Sequence, residues 1–162
     1  NEHFTPPGCR RAQYKRYKTL NQNFDTMENY QTTYMGALRT QITHERNNRQ
    51  ITTDAPVDNK GKGEYFSPTD MVSSALCSCI FTIMGIKARE NGFSIDGASA
   101  TTTKVMRNDP RRIAEIRIEY DFTGFDLNQE QKDLLRELVH ASPVPRSLHP
   151  DIKQDVKLKF GE

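Results

Sequence analysis

The sequence predicts an α+β fold, and three observations carry that reading. One long helical window, 67–91, is apolar over a broad face. Residues 112–122 alternate, with Ile116, Ile118, Tyr120 and Phe122 on one side and Arg117, Glu119 and Asp121 on the other. The element order is β-β-α-β-β-α-β, without regular βαβ alternation, so the pairing is expected to be mostly antiparallel.

The elements follow in chain order. Residues 1–26 are polar, broken by Pro6-Pro7-Gly8, and hold Arg10, Arg11, Lys15, Arg16 and Lys18 against Glu2 and Asp25. They read as a basic N-terminal extension, possessing no clear period, ahead of a domain at 27–162. Tyr14 and Tyr17 among the basic residues raise RNA contact as one use of this arm; a flexible accessory segment is the plainer reading. Residues 30–43 are rich in β-branched and aromatic types and predict a strand. HERNNRQ is a polar turn, and 50–54 a partner strand. The stretch 54–66, with Pro56, Asp58-Asn59 and two glycines, is a loop. Its Gly-Lys-Gly at 61–63 lacks the spacing of a phosphate-binding loop.

Ser67-Pro68-Thr69-Asp70 starts a helix: Ser67 suits the N-cap, Pro68 the first turn, and Asp70 the reciprocal capping position. Asn91-Gly92 stops it, about 36 Å further on at 1.5 Å per residue. Met71, Val72, Ala75, Leu76, Cys79, Ile80, Ile83 and Ile86 recur at helical spacing, so this helix should be covered by sheet or by a partner subunit. Ser73, Ser74, Ala75 and Ser78 are small enough to admit close packing. Residues 93–107 read as a strand with a kink at Gly97, hairpin partner of 112–122 across the turn Asn108-Asp109-Pro110. Asn128 caps a second helix, 129–141; SPVPRSLHPD is a loop; Val156, Leu158 and Phe160 mark a closing strand.

Composition narrows function by exclusion. A net charge of +2 over 162 residues argues against nucleic acid or an anionic membrane as partner. No run reaches the roughly 18 consecutive apolar residues of a bilayer span. Three cysteines, Cys9, Cys77 and Cys79, do not make a disulfide framework, so a cytoplasmic, reducing location is expected.

Cys77 and Cys79 are the chemistry-bearing pair. Two residues apart on a helix is a rotation of about 200°, so they can neither share a metal nor form a disulfide without unwinding. Cys79 falls with Val72, Ala75, Leu76 and Ile83, and Cys77 on the other side with Ser73, Ser74 and Phe81. Two readings stay open: both are small core residues, or one is a reactive thiol, which needs a nearby cation and partial access. Ser142 and His149 lack the surroundings of a serine hydrolase. His44 and His140 have no ligand-spaced partner, and no metal or cofactor is expected.

Taken in order, 53–92, "KVMRNDPRRIAEI" (104–116) and "SPVPRSLHPD" (142–151) resemble the OsmC/Ohr family, closest to its OsmC-like branch. The likeness covers roughly 30–161. It implies an intertwined homodimer with antiparallel sheets packed around long central helices. It also implies thiol-dependent reduction of organic hydroperoxides in an oxidative stress response. By that resemblance Cys79, 11 residues after Pro68, is the reactive cysteine, and Cys77 stands where the family has a small residue, often Gly. An activating arginine is expected from the first strands: Arg39 is the candidate, with Thr40 equally well placed at that position and Arg46 and Arg49 as alternatives.

Two departures accompany the likeness. The family's resolving cysteine precedes Pro-Val, and here Ser142 does; the Ohr branch has an acidic residue after the helix-start proline, and here Thr69 stands there, leaving Glu64 or Asp70 to substitute. The implied reductant is an external dithiol or small thiol. The competing reading is a non-catalytic dimer that binds an apolar small molecule in the same interface pocket.

Overall fold

Two separate three-stranded sheets and one long helix order residues 28–161, the part of the chain that this computed structural model describes. The N-terminal extension and Cys9 lie outside the described residues. Sheet one is β1 (Tyr30–Gly36), β2 (Arg39–His44) and β3 (Gln50–Asp54), antiparallel throughout. Helix α1 (Pro68–Glu90) follows. Sheet two is β4 (Ser99–Asn108), β5 (Arg111–Phe122) and β6 (Lys153–Phe160), with α2 (Gln129–Glu137) and the short α3 (Pro143–Ser147) between its last two strands.

Four expectations are corrected. The single strand 30–43 is a hairpin: Ala37 and Leu38 both take positive φ, 49° and 63°, and turn the chain so tightly that Gly36 faces Arg39. Two positive-φ residues match the twist of a two-residue hairpin, but non-glycine residues rarely adopt them, which hid the turn. Strand β4 starts at Ser99 rather than residue 93, because Ser94 and Gly97 (φ 89°) build a turn first. The helix at 129–141 ends at Glu137 in a 3-10 turn, and SPVPR is a helical turn with Pro143 at its first position. Finally, β6 runs parallel to β5, since α2 and α3 carry the chain back to the same end of the sheet.

Helix α1 lies on sheet two. Its fully buried side chains, Leu76, Ile80 and Met84, meet Ile116, Ile118, Tyr120 and Phe122 of β5 in one core. Phe81 sets its ring edge-on to Tyr120 at 4.5 Å, a geometry favoured by the ring quadrupoles. The Tyr120 hydroxyl donates to the Cys77 carbonyl oxygen at 2.8 Å, tying strand to helix. By length and composition alone α1 is apolar enough to cross a membrane, but it is the core helix of this domain.

The same helix leaves a second apolar stripe uncovered. Val72, Ala75 and Ile86 are exposed, and Cys79 is half-buried along that line. Sheet one is uncovered as well: Tyr30 and Tyr34 are 60% and 65% exposed.

Candidate functional site

A charged side-chain cluster is built on sheet one around Arg39. Register places Arg39 directly opposite Asp54. The guanidinium donates to both carboxylate oxygens of Asp54, Nε to Oδ1 at 2.6 Å and Nη2 to Oδ2 at 2.8 Å, the fork geometry that only arginine offers. Nη2 also donates to Glu64, and the guanidinium carbon lies 4.5 Å over the Tyr65 ring. Asp54 is 2% exposed and accepts the Glu64 backbone N–H at 3.1 Å. The Arg39 hydrogen bonds, with help from the Glu64 and Tyr65 amides, hold its carboxyl below the usual carboxylate range. The same two carboxylates push the Arg39 pKa up. Sequence reasoning missed Asp54; its signal is the β2–β3 register, which the polar turn at 44–50 leaves unfixed.

The Gly-Lys-Gly loop brings Glu64 back to Arg39. A Cβ on Gly61 would lie 1.7 Å from the Ala55 carbonyl oxygen, so no side chain fits without moving backbone. Lys60, at φ 63°, and the Gly63 N–H, bonded to the Ala55 oxygen at 3.3 Å, complete the turn. Gly61→Ala is therefore expected to destabilise by about 1–3 kcal/mol as an overpacked site. It should also loosen the 61–66 loop, read as faster amide exchange there; unchanged stability and exchange would contradict this account.

The remaining candidates are placed as follows. Thr40 pairs its hydroxyl with Thr53 at 2.7 Å, Arg46 is exposed and bonds Glu28 at 3.2 Å, and Arg49 lies exposed just ahead of β3. Asp70 closes the capping box with Ser67 and pairs with Lys104 at 2.6 Å rather than with Arg39. Burial pushes its carboxyl up, but Lys104 and Ser67 outweigh that and the net direction is down. Lys104 also donates to Thr69 Oγ1 at 2.8 Å, fixing the residue that follows the helix-start proline. A cavity of about 340 Å³ adjoins both clusters, with Tyr34, Leu38, Asp54, Thr69 and Met106 in its wall.

Cys79 lies on the uncovered stripe of α1, half-buried, while Cys77 packs against the core. The grouping expected for Cys79 is split by the fold: Leu76 is fully buried and Ile83 packs against the core, Val72 and Ala75 are exposed, and Cys77, placed on the other side, packs against the core as well. Both thiols are free, and Cys79 has no side-chain hydrogen bond among the described residues. Tyr120 is the neighbour that sequence reasoning missed: burial, then the adjacent Cys77 and Cys79, push its hydroxyl pKa up. Ser142 is 0% exposed, and its Oγ has no hydrogen-bond partner. No group of three metal-ligating side chains occurs among the described residues.

The two halves of this constellation are separated along α1. The Asp54 N–H donates to the Phe66 carbonyl at 3.1 Å, anchoring the arginine cluster beside the helix cap Ser67. Cys79 is at the midpoint of Pro68–Glu90, about 18 Å of helix rise beyond that cap.

Comparison with known proteins bears on this arrangement. Residues 61–157 match the family described as OsmC-like protein. A Psychrobacter arcticus 273-4 protein, described as osmotic stress induced and of the detoxification response, is 44% identical; the match covers 85% of this chain and 100% of that one, with a TM-score of 0.78. The fold is shared with an OsmC-like protein of Mycoplasma pneumoniae (16% identity, 85% and 99% coverage, TM-score 0.68). It is shared also with an organic hydroperoxide resistance protein OsmC of Legionella pneumophila (15% identity, 85% and 98% coverage, TM-score 0.64). Among curated protein sequences none matches. The family match over more than half the chain, with the high-identity structural relative, means that this protein belongs to the OsmC-like family.

Proposed function

We propose that this protein is a thiol-dependent peroxidase for organic hydroperoxides, acting as a homodimer through Cys79. The observation that carries this reading is the position of Cys79: half-buried on an apolar stripe that one chain leaves uncovered. A second copy laid antiparallel on that stripe, crossing near Ser74 and Ala75, sets Cys79 opposite residue 70 of its partner by helix arithmetic. The partner's Arg39 cluster is anchored at that end of α1, so a guanidinium reaches the thiol from across the interface. Apolar side chains of the two copies then wall the place where an alkyl group sits.

In the reaction, the Cys79 thiolate attacks one peroxide oxygen and the O–O bond breaks. Alkoxide leaves and takes a proton to become the alcohol, and Cys79 becomes a sulfenic acid. Arg39 stabilises the thiolate and the negative charge that develops on the leaving oxygen. With serine at position 142, no internal disulfide follows. An external thiol displaces water from the sulfenic acid to give a mixed disulfide, and a second thiol releases Cys79.

The direct test is consumption of cumene hydroperoxide by the purified protein with either a small thiol or a dithiol as reductant. Substoichiometric peroxide should convert Cys79 to a sulfenic acid, captured as its dimedone thioether with loss of water. Absence of both turnover and the adduct rejects the reading. The loss of a thiol at Ser142 favours one rival, a non-catalytic dimer that retains an apolar small molecule. Native mass spectrometry showing a retained ligand on a chain inert to peroxide would select it.

A further inference from the structure

A second cavity, of about 670 Å³, shares no residue with the Arg39 cluster and opens at the tip of the β4–β5 hairpin. β6 first meets β5 where Lys153 faces Glu115, so the stretch of β5 ahead of that pair has no strand on that side. The chain at 149–152 lies there instead, tied to the hairpin by Arg112 Nη2, which donates to Asp151 Oδ2 at 3.1 Å. The Ile152 N–H donates to the His149 carbonyl at 3.0 Å and closes this segment into a turn. Between turn and hairpin runs a groove with Pro110, Ile113 and Ile152 as its apolar wall and Arg112, His149 and Asp151 as its charged and polar groups. Those groups are mismatched in kind. A guanidinium carries several N–H donors, and Arg112 uses one, on a single Asp151 oxygen. His149 Nδ1 accepts the Asp151 backbone N–H at 3.2 Å and so carries no hydrogen, which leaves the ring hydrogen on Nε2 as a further donor. Asp151 Oδ2, 3.8 Å from Nδ1, is beyond hydrogen-bond reach of the ring. Donors therefore outnumber acceptors against an apolar wall. Bulk charge is not the reason, since Arg107, Arg111 and Arg112 at the tip are matched by Asp58, Asp109 and Asp151.

We propose that this groove binds a small molecule carrying one carboxylate on an apolar body. The remaining N–H groups of Arg112 take the carboxylate, for which a planar guanidinium is the matching partner, and His149 Nε2–H adds a bond. Pro110, Ile113 and Ile152 cover the apolar part. The volume falls within the roughly 300–1,000 Å³ of small-molecule pockets. Asp151 stands beside the donors, and its charge opposes a doubly charged phosphate more than a single carboxylate. The site uses neither Cys79 nor Arg39 and holds whether or not the protein reduces peroxides.

The test titrates hexanoate, hexanol and hexylamine into the whole chain and follows backbone amide shifts by NMR. Hexanoate should saturate, with shifts concentrated at 111–113 and 149–152. It should bind ~10-fold or more tightly than hexanol, which keeps the apolar body and lacks the charge. Arg112→Gln should weaken hexanoate by ~10–100-fold, the scale on which a hydrogen bond to a charged group is felt. Asp151→Asn breaks the same ion pair from its other side and so separates recognition from support of the turn. It should bind hexanoate more tightly than wild type, because Arg112 is released. Equal weakening by both variants would mean that the pair only braces the turn, and overturns the proposal. Hexanol or hexylamine binding as tightly as hexanoate overturns it too. So do shifts confined to the exposed α1 stripe at Val72 and Ile86, or the absence of saturable hexanoate binding.

Discussion

Cys79→Ser abolishes hydroperoxide reduction, with an expected loss of about 10³-fold or more, the scale on which removal of a nucleophile is felt. The reasoning is chemical. Serine is isosteric enough to leave α1 intact, and the stripe it sits on is only half-buried, so folding is preserved. Its hydroxyl is not ionised at neutral pH and cannot carry oxygen away as sulfur does. Cys77→Ser supplies the contrast. Cys77 packs against the core and its carbonyl, not its thiol, receives the Tyr120 hydroxyl. That variant should keep most of the turnover, with a modest loss of stability from a hydroxyl placed where a small apolar thiol packed. Peroxide consumption measured on both, with circular dichroism to confirm folding, decides the assignment. Turnover surviving in Cys79→Ser and lost in Cys77→Ser would reverse it.

How much of this was legible beforehand follows from where the physics is local. The start of α1 was readable to the residue, because a capping box is a reciprocal bond between neighbours, Ser67 and Asp70. The strand 112–122 was readable because one face is buried against a helix and the other is wet. The β1–β2 turn was not, because Ala37 and Leu38 adopt their left-handed conformations under the demand of the flanking strand pairing, with no turn-forming pair to announce it. The Arg39–Asp54 pairing lies across β2 and β3, whose turn was readable, but fixing it needs the residue-by-residue register, Thr43 opposite Gln50, which the polar turn HERNNRQ does not set on its own.

The helix pattern shows a subtler limit. Residues 71–86 carry apolar side chains on more than one face, and hydropathy alone could not say which stripe meets the chain's own sheet. The sheet takes Leu76, Ile80 and Met84, and the stripe with Val72, Cys79 and Ile86 is left open. Family likeness singled out Cys79, but only the fold assigns it to the outward stripe. In the same way Ser142 could be read as a missing thiol, whereas its burial without a partner became visible only with the packing of α3.

Mixing two inactive variants should restore activity. Arg39→Met removes the guanidinium and leaves Asp54, a carboxylate 2% exposed, without the cation that holds its pKa down. The variant loses about 10²-fold in turnover, the usual effect of deleting one group that stabilises developing charge. It also loses stability in a pH-dependent way. Because the folded Asp54 pKa is depressed in the native protein, its contribution is present above the ordinary carboxylate pKa and vanishes as pH falls through the folded value. The gap between wild type and Arg39→Met should therefore be wide at pH 7 and narrow in acid.

Cys79→Ser, by contrast, keeps Arg39 and lacks the thiol. If Arg39 serves the thiol of its own chain, a dimer of one Arg39→Met chain and one Cys79→Ser chain has no complete site. If it serves the partner's thiol, that dimer has one complete site, formed by the intact cysteine of the first chain and the intact arginine of the second. Random exchange of equal amounts gives about a quarter of the wild-type activity in the second case and none in the first. The helix rise of about 18 Å between the arginine anchor at Ser67 and the thiol at mid-helix favours the second. Denaturing and refolding the two variants together, then assaying cumene hydroperoxide reduction against each refolded alone, makes the measurement. A mixture no more active than its parts, with mixed dimers confirmed by native mass spectrometry, would remove the shared site from the mechanism.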